Sequence, residues 1–353
     1  MMGSIQTVLG PIPPEDLGIT LSHEHILFDG SYAVAKPRNA TMLEILDQPV
    51  SLRNLGKVLR NVDACRDNLM LNDMETAIEE LQLYKRSGGK SVVDVTVAGN
   101  GRDPIALAKI SRATGLNIIV ATGQYAKVAH TEDVEKSGVA ELSYKMIREI
   151  EEGIDDSGIK AGIIKCGCSY PIHPDEKKVL QVAARAQEQT GAPITFHPPG
   201  RDIEKKKRVK KIEDALDILQ EGGAELKKVY ISHLQGWGND LEYNKYLLDE
   251  YDAYLSYDGF SVQWFLDFIW PGCGKEACDV DLVDMVVELC NQGYDKRIML
   301  AHDICMKFML TRYGGWGYAH ILDNIVPQFG LGGLSDRQIT NMLIENPKRM
   351  LAF

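Results

Sequence analysis

Four of the eight histidines in this 353-residue chain stand at the ends of short β-branched runs. Thr20-Leu21-Ser22-His23-Glu24-His25 sets two of them two residues apart, so on a strand both imidazoles face one way. His197 follows Thr195-Phe196, and His233 follows Ile231-Ser232. Two further runs end in charge: Ala161-Gly162-Ile163-Ile164-Lys165 and Met299-Leu300-Ala301-His302-Asp303. Each has an ordinary reading alone, as paired surface histidines, a solvated or Schiff-base lysine, or a helix N-cap aspartate. Gathered together they suit a metal, because converging imidazoles are costly to desolvate unless a borderline cation binds them. Asp303 can bind metal and take a proton from bound water. Lys165 beside cations is driven toward neutrality, and a neutral amine can capture carbon dioxide. The resulting carbamate has two oxygens able to bridge metals about 3.5–4 Å apart.

What would gather these residues is a parallel barrel. Candidate strands read at Gly18–Ser22, Ser91–Thr96, Asn117–Thr122, Ala161–Lys165, Pro193–Phe196, Lys228–Ser232, Ala253–Tyr257 and Arg297–Ala301, alternating with longer amphipathic segments. Asp103 with Pro104 reads as a helix N-cap and first-turn proline, and the Val179, Leu180, Val182, Ala183 and Ala186 stripe closes at Gly191. The expected fold is α/β, a (β/α)₈ TIM barrel occupying residues 1–353 as one domain, with every strand's C-terminal end at one mouth. Eight units need about 250 residues. The surplus is expected as insertions after strand one, Asp29 to about Leu69, and after strand seven, Gly259 to about Asp279, where Phe260, Trp264, Phe265, Phe268 and Trp270 cluster. Alternation carried to the end of strand eight sends Asp303 inward and His302 away.

Bulk properties narrow the function classes. A formal charge of −11 and a pI near 5.3 argue against nucleic acid or an anionic membrane as the principal partner. The basic run Lys205, Lys206, Lys207, Arg208, Lys210 and Lys211 reads first as a solvated face. Seven dispersed cysteines without a C-x-x-C pair indicate neither a disulfide framework nor a thiolate zinc site. With no signal peptide and no apolar stretch of transmembrane length, the expectation is a cytoplasmic enzyme acting on a small molecule, with a homodimer left open.

The same residues carry a resemblance. Thr7-Val8-Leu9-Gly10, Thr20 to His25, Gly101-Arg102-Asp103, Ala161 to Lys165, Ala301-His302-Asp303, Tyr313-Gly314-Gly315, Gly317 to Leu322 and Glu345-Asn346-Pro347-Lys348-Arg349 resemble the phosphotriesterase family of the amidohydrolase superfamily, particularly its phosphotriesterase-related members. The resemblance runs along nearly the whole chain. It implies two divalent ions, zinc being expected from the imidazole-rich set. His23, His25 and Asp303 would hold the more buried metal, His197 and His233 the more exposed one, and carbamylated Lys165 would bridge them. It further implies a metal-shared hydroxide that attacks an ester, lactone or amide carbonyl, with phosphotriester cleavage incidental. Tyr125 resembles the tyrosine that leans over the metals in lactonase-like members, and is expected to be catalytic beside Asp303 and Lys165.

Departures from the pattern bear on substrate. Leu234, Gln235 and Gly236 follow His233 where the family usually has an aspartate, and Ser256-Tyr257-Asp258 lacks the Asp-Arg pair of the lactonase subgroup. Arg201, Tyr257 and Trp264 are expected as substrate contacts with Tyr125, an anionic head lying near Arg201 and an apolar part near Trp264. His130, His173 and His320 read as structural. Two other classes stay open at this point: a Schiff-base aldolase using Lys165, and a small-molecule-binding barrel whose chemistry has been lost.

Overall fold

A computed structural model describes residues 3–199, 211–234, 240–261 and 277–353. Its main sheet has eight strands, all parallel: β1 Thr20–Glu24, β2 Ser91–Asp94, β3 Asn117–Gly123, β4 Ile163–Gly167, β5 Ile194–His197, β6 Val229–Ile231, β7 Tyr254–Tyr257 and β8 Ile298–Leu300. Neighbours in sequence are neighbours in the sheet. The seam between β8 and β1 is stitched by Ser22 Oγ to Leu300 O at 3.1 Å, Asp303 N to His23 O at 3.2 Å and His25 N to Ile304 O at 3.2 Å. The result is the expected (β/α)₈ barrel.

Helices α1 Met74–Arg86, α2 Pro104–Thr114, α3 Val139–Glu151, α4 Pro174–Thr190, α5 Lys211–Glu221, α6 Leu241–Glu250, α7 Asp279–Asn291 and α8 Val326–Leu331 follow the strands in turn. Their boundary chemistry is local. Asp103 accepts from Ala106 N at the start of α2 with Pro104 in the first turn, and α4 begins in a capping box of His173 and Glu176 and ends at left-handed Gly191. The α4 stripe Val179, Leu180, Val182, Ala183 and Ala186 is buried, as its spacing requires.

Two cores result. The outer one lies between strands and helices and takes Leu21, Val92, Ile118, Val120, Ile164, Ile194, Phe196, Val229, Ile231, Leu255, Tyr257, Ile298 and Leu300. The inner one fills the barrel with Val93, Val95, Ile119, Ala121, Ile163, Tyr230 and Met299, and Ile5, Leu17, Met350 and Leu351 plug its base. Water is thus excluded below the mouth. The insertion after β1 leaves and returns on a short antiparallel ladder, Phe28–Asp29 against Met70–Leu71. Most of the insertion after β7 lies outside the described residues.

One glycine fixes how closely β3 meets β4. At Gly123 φ is +126°, and a Cβ there would stand 1.9 Å from the Lys165 carbonyl oxygen. Gly123→Ala should therefore cost about 3 kcal/mol or more, read as a lowered denaturation midpoint or lost folded yield. Unchanged stability would show that the β3–β4 approach can relax.

Candidate metal centre at the barrel mouth

Which face a residue presents decides whether it reaches the mouth, and simple alternation does not give the answer everywhere. On β1, Leu21 belongs to the outer core, so His23 two residues on should also point outward. It does not. The β1–β2 register slips between Leu21, opposite Val92, and Glu24, opposite Asp94, and this one-residue bulge turns His23 and His25 inward and Glu24 out. On β4 and β5, alternation suffices to place Lys165, Thr195 and His197 on the inner face, after Ile163. On β6, Tyr230 and Ser232 face in, and His233, the next residue, has a left-handed φ of +59° and sets its ring against those of His23 and His197. Asp303 shares this left-handed conformation, with φ +56°.

The side chains meet. His25 Nε2 lies 3.3 Å and His23 Nε2 3.8 Å from Asp303 Oδ1, and Lys165 Nζ lies 3.1 Å from His23 Nε2. The His233 ring centroid is 4.9 Å from that of His23 and 4.4 Å from that of His197. Each imidazole is held by its other nitrogen. His25 Nδ1 meets Thr96 Oγ1 at 2.7 Å, and His23 Nδ1 meets Ser232 Oγ at 2.9 Å and Thr195 Oγ1 at 3.3 Å. His233 Nδ1 meets Asp258 Oδ1 at 2.9 Å. Tyr125 OH meets His197 Nε2 at 3.1 Å. Such partners orient rings and fix their tautomers.

Electrostatics follows from burial. Desolvation, then the neighbouring Lys165 and imidazoles, hold His23 well below the usual histidine range, and desolvation with His233 does the same to His197. Burial pulls Lys165 from 10.5 down to about 8 against the opposing pull of Asp303 and Asp258. Burial opposes charge on both His233 and Asp303, but their mutual attraction and their other partners outweigh it, raising the first and lowering the second.

His23, His25 and Asp303 form one group whose ligand atoms lie within 4.8 Å of one another. A second such group is His23, His233 and Asp258, while His197 joins the cluster through its ring contact with His233. Of the other residues singled out in the sequence, Tyr125, two residues past the end of β3 at Gly123, reaches the site through its hydroxyl contact with His197. Tyr257, expected as a substrate contact at the mouth, is instead an outward residue of β7, fully buried against α6 with Asn244 Nδ2 donating to its hydroxyl at 3.1 Å. Arg201 and Trp264 lie outside the described residues. His130 binds Tyr125 O, His173 caps α4 and His320 binds Asp279 Oδ2 at 2.8 Å, all structural roles.

Sequence reasoning passed over Glu24 and Asp258. Both are fully buried carboxylates, the first on His302 and the second on His233. Their partners include main-chain amides of neighbouring strands, which leave no mark in the sequence.

A family model described as the phosphotriesterase family matches residues 3–351. The chain belongs to the phosphotriesterase family. Within that family it is 38% identical to an N-acetyltaurine hydrolase of Xenopus tropicalis over 361 residues, covering 100% of this chain and 99% of the relative. A resiniferatoxin-binding protein from Rhodobacter sphaeroides superposes with a TM-score of 0.92 at 31% identity, over 99% of this chain and 95% of that one. A phosphotriesterase homology protein from Escherichia coli, solved with phosphate in its active site, superposes with a TM-score of 0.73 at 27% identity, over 95% and 99% of the two chains. The chain is a hydrolase of this family.

The residues present suit a metal. Among the described residues, His197 Nδ1 and Asp258 Oδ2 are buried with no hydrogen-bond partner, each costing about 1–3 kcal/mol unless something binds it. The imidazoles and the carboxylate are donor types of a borderline divalent ion, and burial beside them disfavours charge on Lys165.

Lys165 also sets a pH dependence in the metal-free protein. Between about 8 and 10.5 the unfolded chain keeps the proton that folded Lys165 has released, so unfolding binds protons and stability rises with pH there. Denaturant unfolding at pH 8 and pH 10 should show this rise, at most about 1.4 kcal/mol per pH unit, and Lys165→Met should flatten it. An identical slope in the variant would mean that Lys165 stays protonated in the folded chain.

Proposed function

We propose that this hydrolase uses two divalent metal ions, zinc by preference, to cleave the amide bond of a small N-acylated acid of the N-acetyltaurine kind. The observation that carries the metal reading is the meeting of His23, His25, Lys165, His197, His233 and Asp303 at one mouth, where the buried His197 Nδ1 and the neighbouring Asp258 Oδ2 lack hydrogen-bond partners among the described residues. The amide reading is supported by the likeness to an N-acetyltaurine hydrolase along the whole chain.

His23, His25 and Asp303 would hold the more buried ion, His197 and His233 the more exposed one, with Lys165 as carbamate between them. When bound, the pair supplies an activated water and Lewis-acid polarisation of the carbonyl. The remaining steps belong to the chain. Asp303, kept ionised by His233 and His25, accepts the water's proton and can pass it to the leaving amine. Tyr125 directs its hydroxyl over His197, where it can orient the acyl oxygen. No protein nucleophile is required. An anionic head of carboxylate or sulfonate type would lie toward Arg201 and the acyl group toward Trp264. The chain would work as one barrel domain in the cytoplasm.

Metal-loaded protein should hydrolyse N-acetyltaurine or an N-acyl amino acid with kcat/KM at least tenfold above that for lactones and phosphotriesters. Chelation should abolish the activity, and zinc with bicarbonate should restore it. Faster turnover of lactones would overturn the amide reading.

Arg201→Ala should lose about ten- to hundredfold in kcat/KM on anionic substrates while metal content stays unchanged. An equal loss on neutral amides would assign Arg201 to the fold.

A further inference from the structure

The strand ends that carry the site are gripped by three buried carboxylates, Glu24, Asp94 and Asp258. Glu24, turned outward by the β1 bulge, reaches across the barrel seam. Its Oε1 accepts from His302 N at 2.8 Å and His302 Nδ1 at 2.7 Å, and its Oε2 accepts from Ile304 N at 3.0 Å. The two backbone amides bracket Asp303. His302 is fixed in turn, since its Nε2 accepts from Ile321 N at 3.1 Å and leaves the proton on Nδ1 for Glu24. On β7, Asp258 Oδ1 accepts both His233 N and His233 Nδ1 at 2.9 Å. On β2, Asp94 Oδ2 accepts Ile26 N, next to His25, at 2.8 Å, while Oδ1 accepts Thr96 N at 3.0 Å.

All three carboxylates are fully buried, and each grips the exit of an adjacent strand. Among the described residues, four that are not glycine have positive φ: Asp155, His233, Ser261 and Asp303. Two of these belong to the site, and both are gripped. A left-handed conformation is strained for a non-glycine residue, and hydrogen bonds from the adjacent amides to a buried carboxylate oppose its relaxation. Helix capping does not explain the acids, because none of the three opens a helix.

We propose that Glu24 and Asp258 are positioning residues, each holding one left-handed residue, Asp303 and His233 respectively, in the conformation that delivers its side chain to the metals. This rests on the metal reading above. The pairing is specific: Glu24 acts through Asp303 and Asp258 through His233. A barrel that needed these acids only for general stability would show no such partition.

Zinc affinity measured by chelator competition on the full chain separates the cases, using two double-mutant cycles alongside melting of the zinc-free proteins. Glu24→Gln places an amide NH₂ against a backbone N–H, and should weaken zinc binding about 10- to 100-fold. In an Asp303→Asn background the further loss should be under threefold, whereas in a His233→Asn background it should be full. Asp258→Asn should show the reverse dependence. Additive losses in both backgrounds would overturn the proposal. If one acid variant fails to fold, the other cycle decides. Failure of both to fold would also overturn it, because the acids would then serve the barrel rather than the ligands. Wild-type protein that binds no zinc would remove the proposed function and this inference together, whereas zinc-binding wild type with additive cycles would remove this inference alone.

Discussion

Everything at the mouth of this barrel answers to one constraint: polar atoms set on top of a dry hydrocarbon core must each find a partner. Below the site the barrel is filled by valine, isoleucine, tyrosine and methionine side chains, so no water can enter from beneath. His23, buried completely, spends one nitrogen on Ser232 and Thr195 and turns the other to Lys165 and Asp303. The same division holds at His25, between Thr96 and Asp303, and at His197, where Tyr125 takes one nitrogen and the other has no partner among the described residues. Burial that disfavours charge on His23 and His197 keeps their lone pairs available, and it draws Lys165 down in the same direction.

A second constraint is geometric. A strand offers only two faces, and a barrel of short strands cannot present six converging groups from ideal alternation alone. The bulge in β1 changes the face of His23 and His25, and the left-handed exits of β6 and β8 shape how His233 and Asp303 arrive. Two of the four positive-φ non-glycine residues among the described residues lie in this cluster, and the ladder of the main sheet keeps its register apart from the β1 bulge.

Much of this was legible in the sequence. Eight strands, their order and the gathering of His23, His25, Lys165, His197, His233 and Asp303 follow from β-branched runs and from which residues end them, because a parallel barrel sends every strand end to one mouth. The stripe on α4 and the caps at Asp103 and Gly191 needed only helical spacing. What escaped was whatever depends on a one-residue slip or on a contact between strands. Tyr257 looked like a mouth residue from its place at a strand end, yet alternation from inward Ser256 to inward Asp258 sends it to the outer core. Glu24 and Asp258 could not be recognised as grips until the neighbouring strands were side by side. Their partners are main-chain amides, which carry no signature in a sequence.

Anomalous diffraction at the zinc absorption edge, from crystals grown with zinc and bicarbonate, tests the central claim most directly. Two peaks are predicted, one among His23, His25 and Asp303 and the other beside His197 and His233, with density extending the Lys165 amine between them. A single peak, or none, with an unmodified lysine, would contradict it.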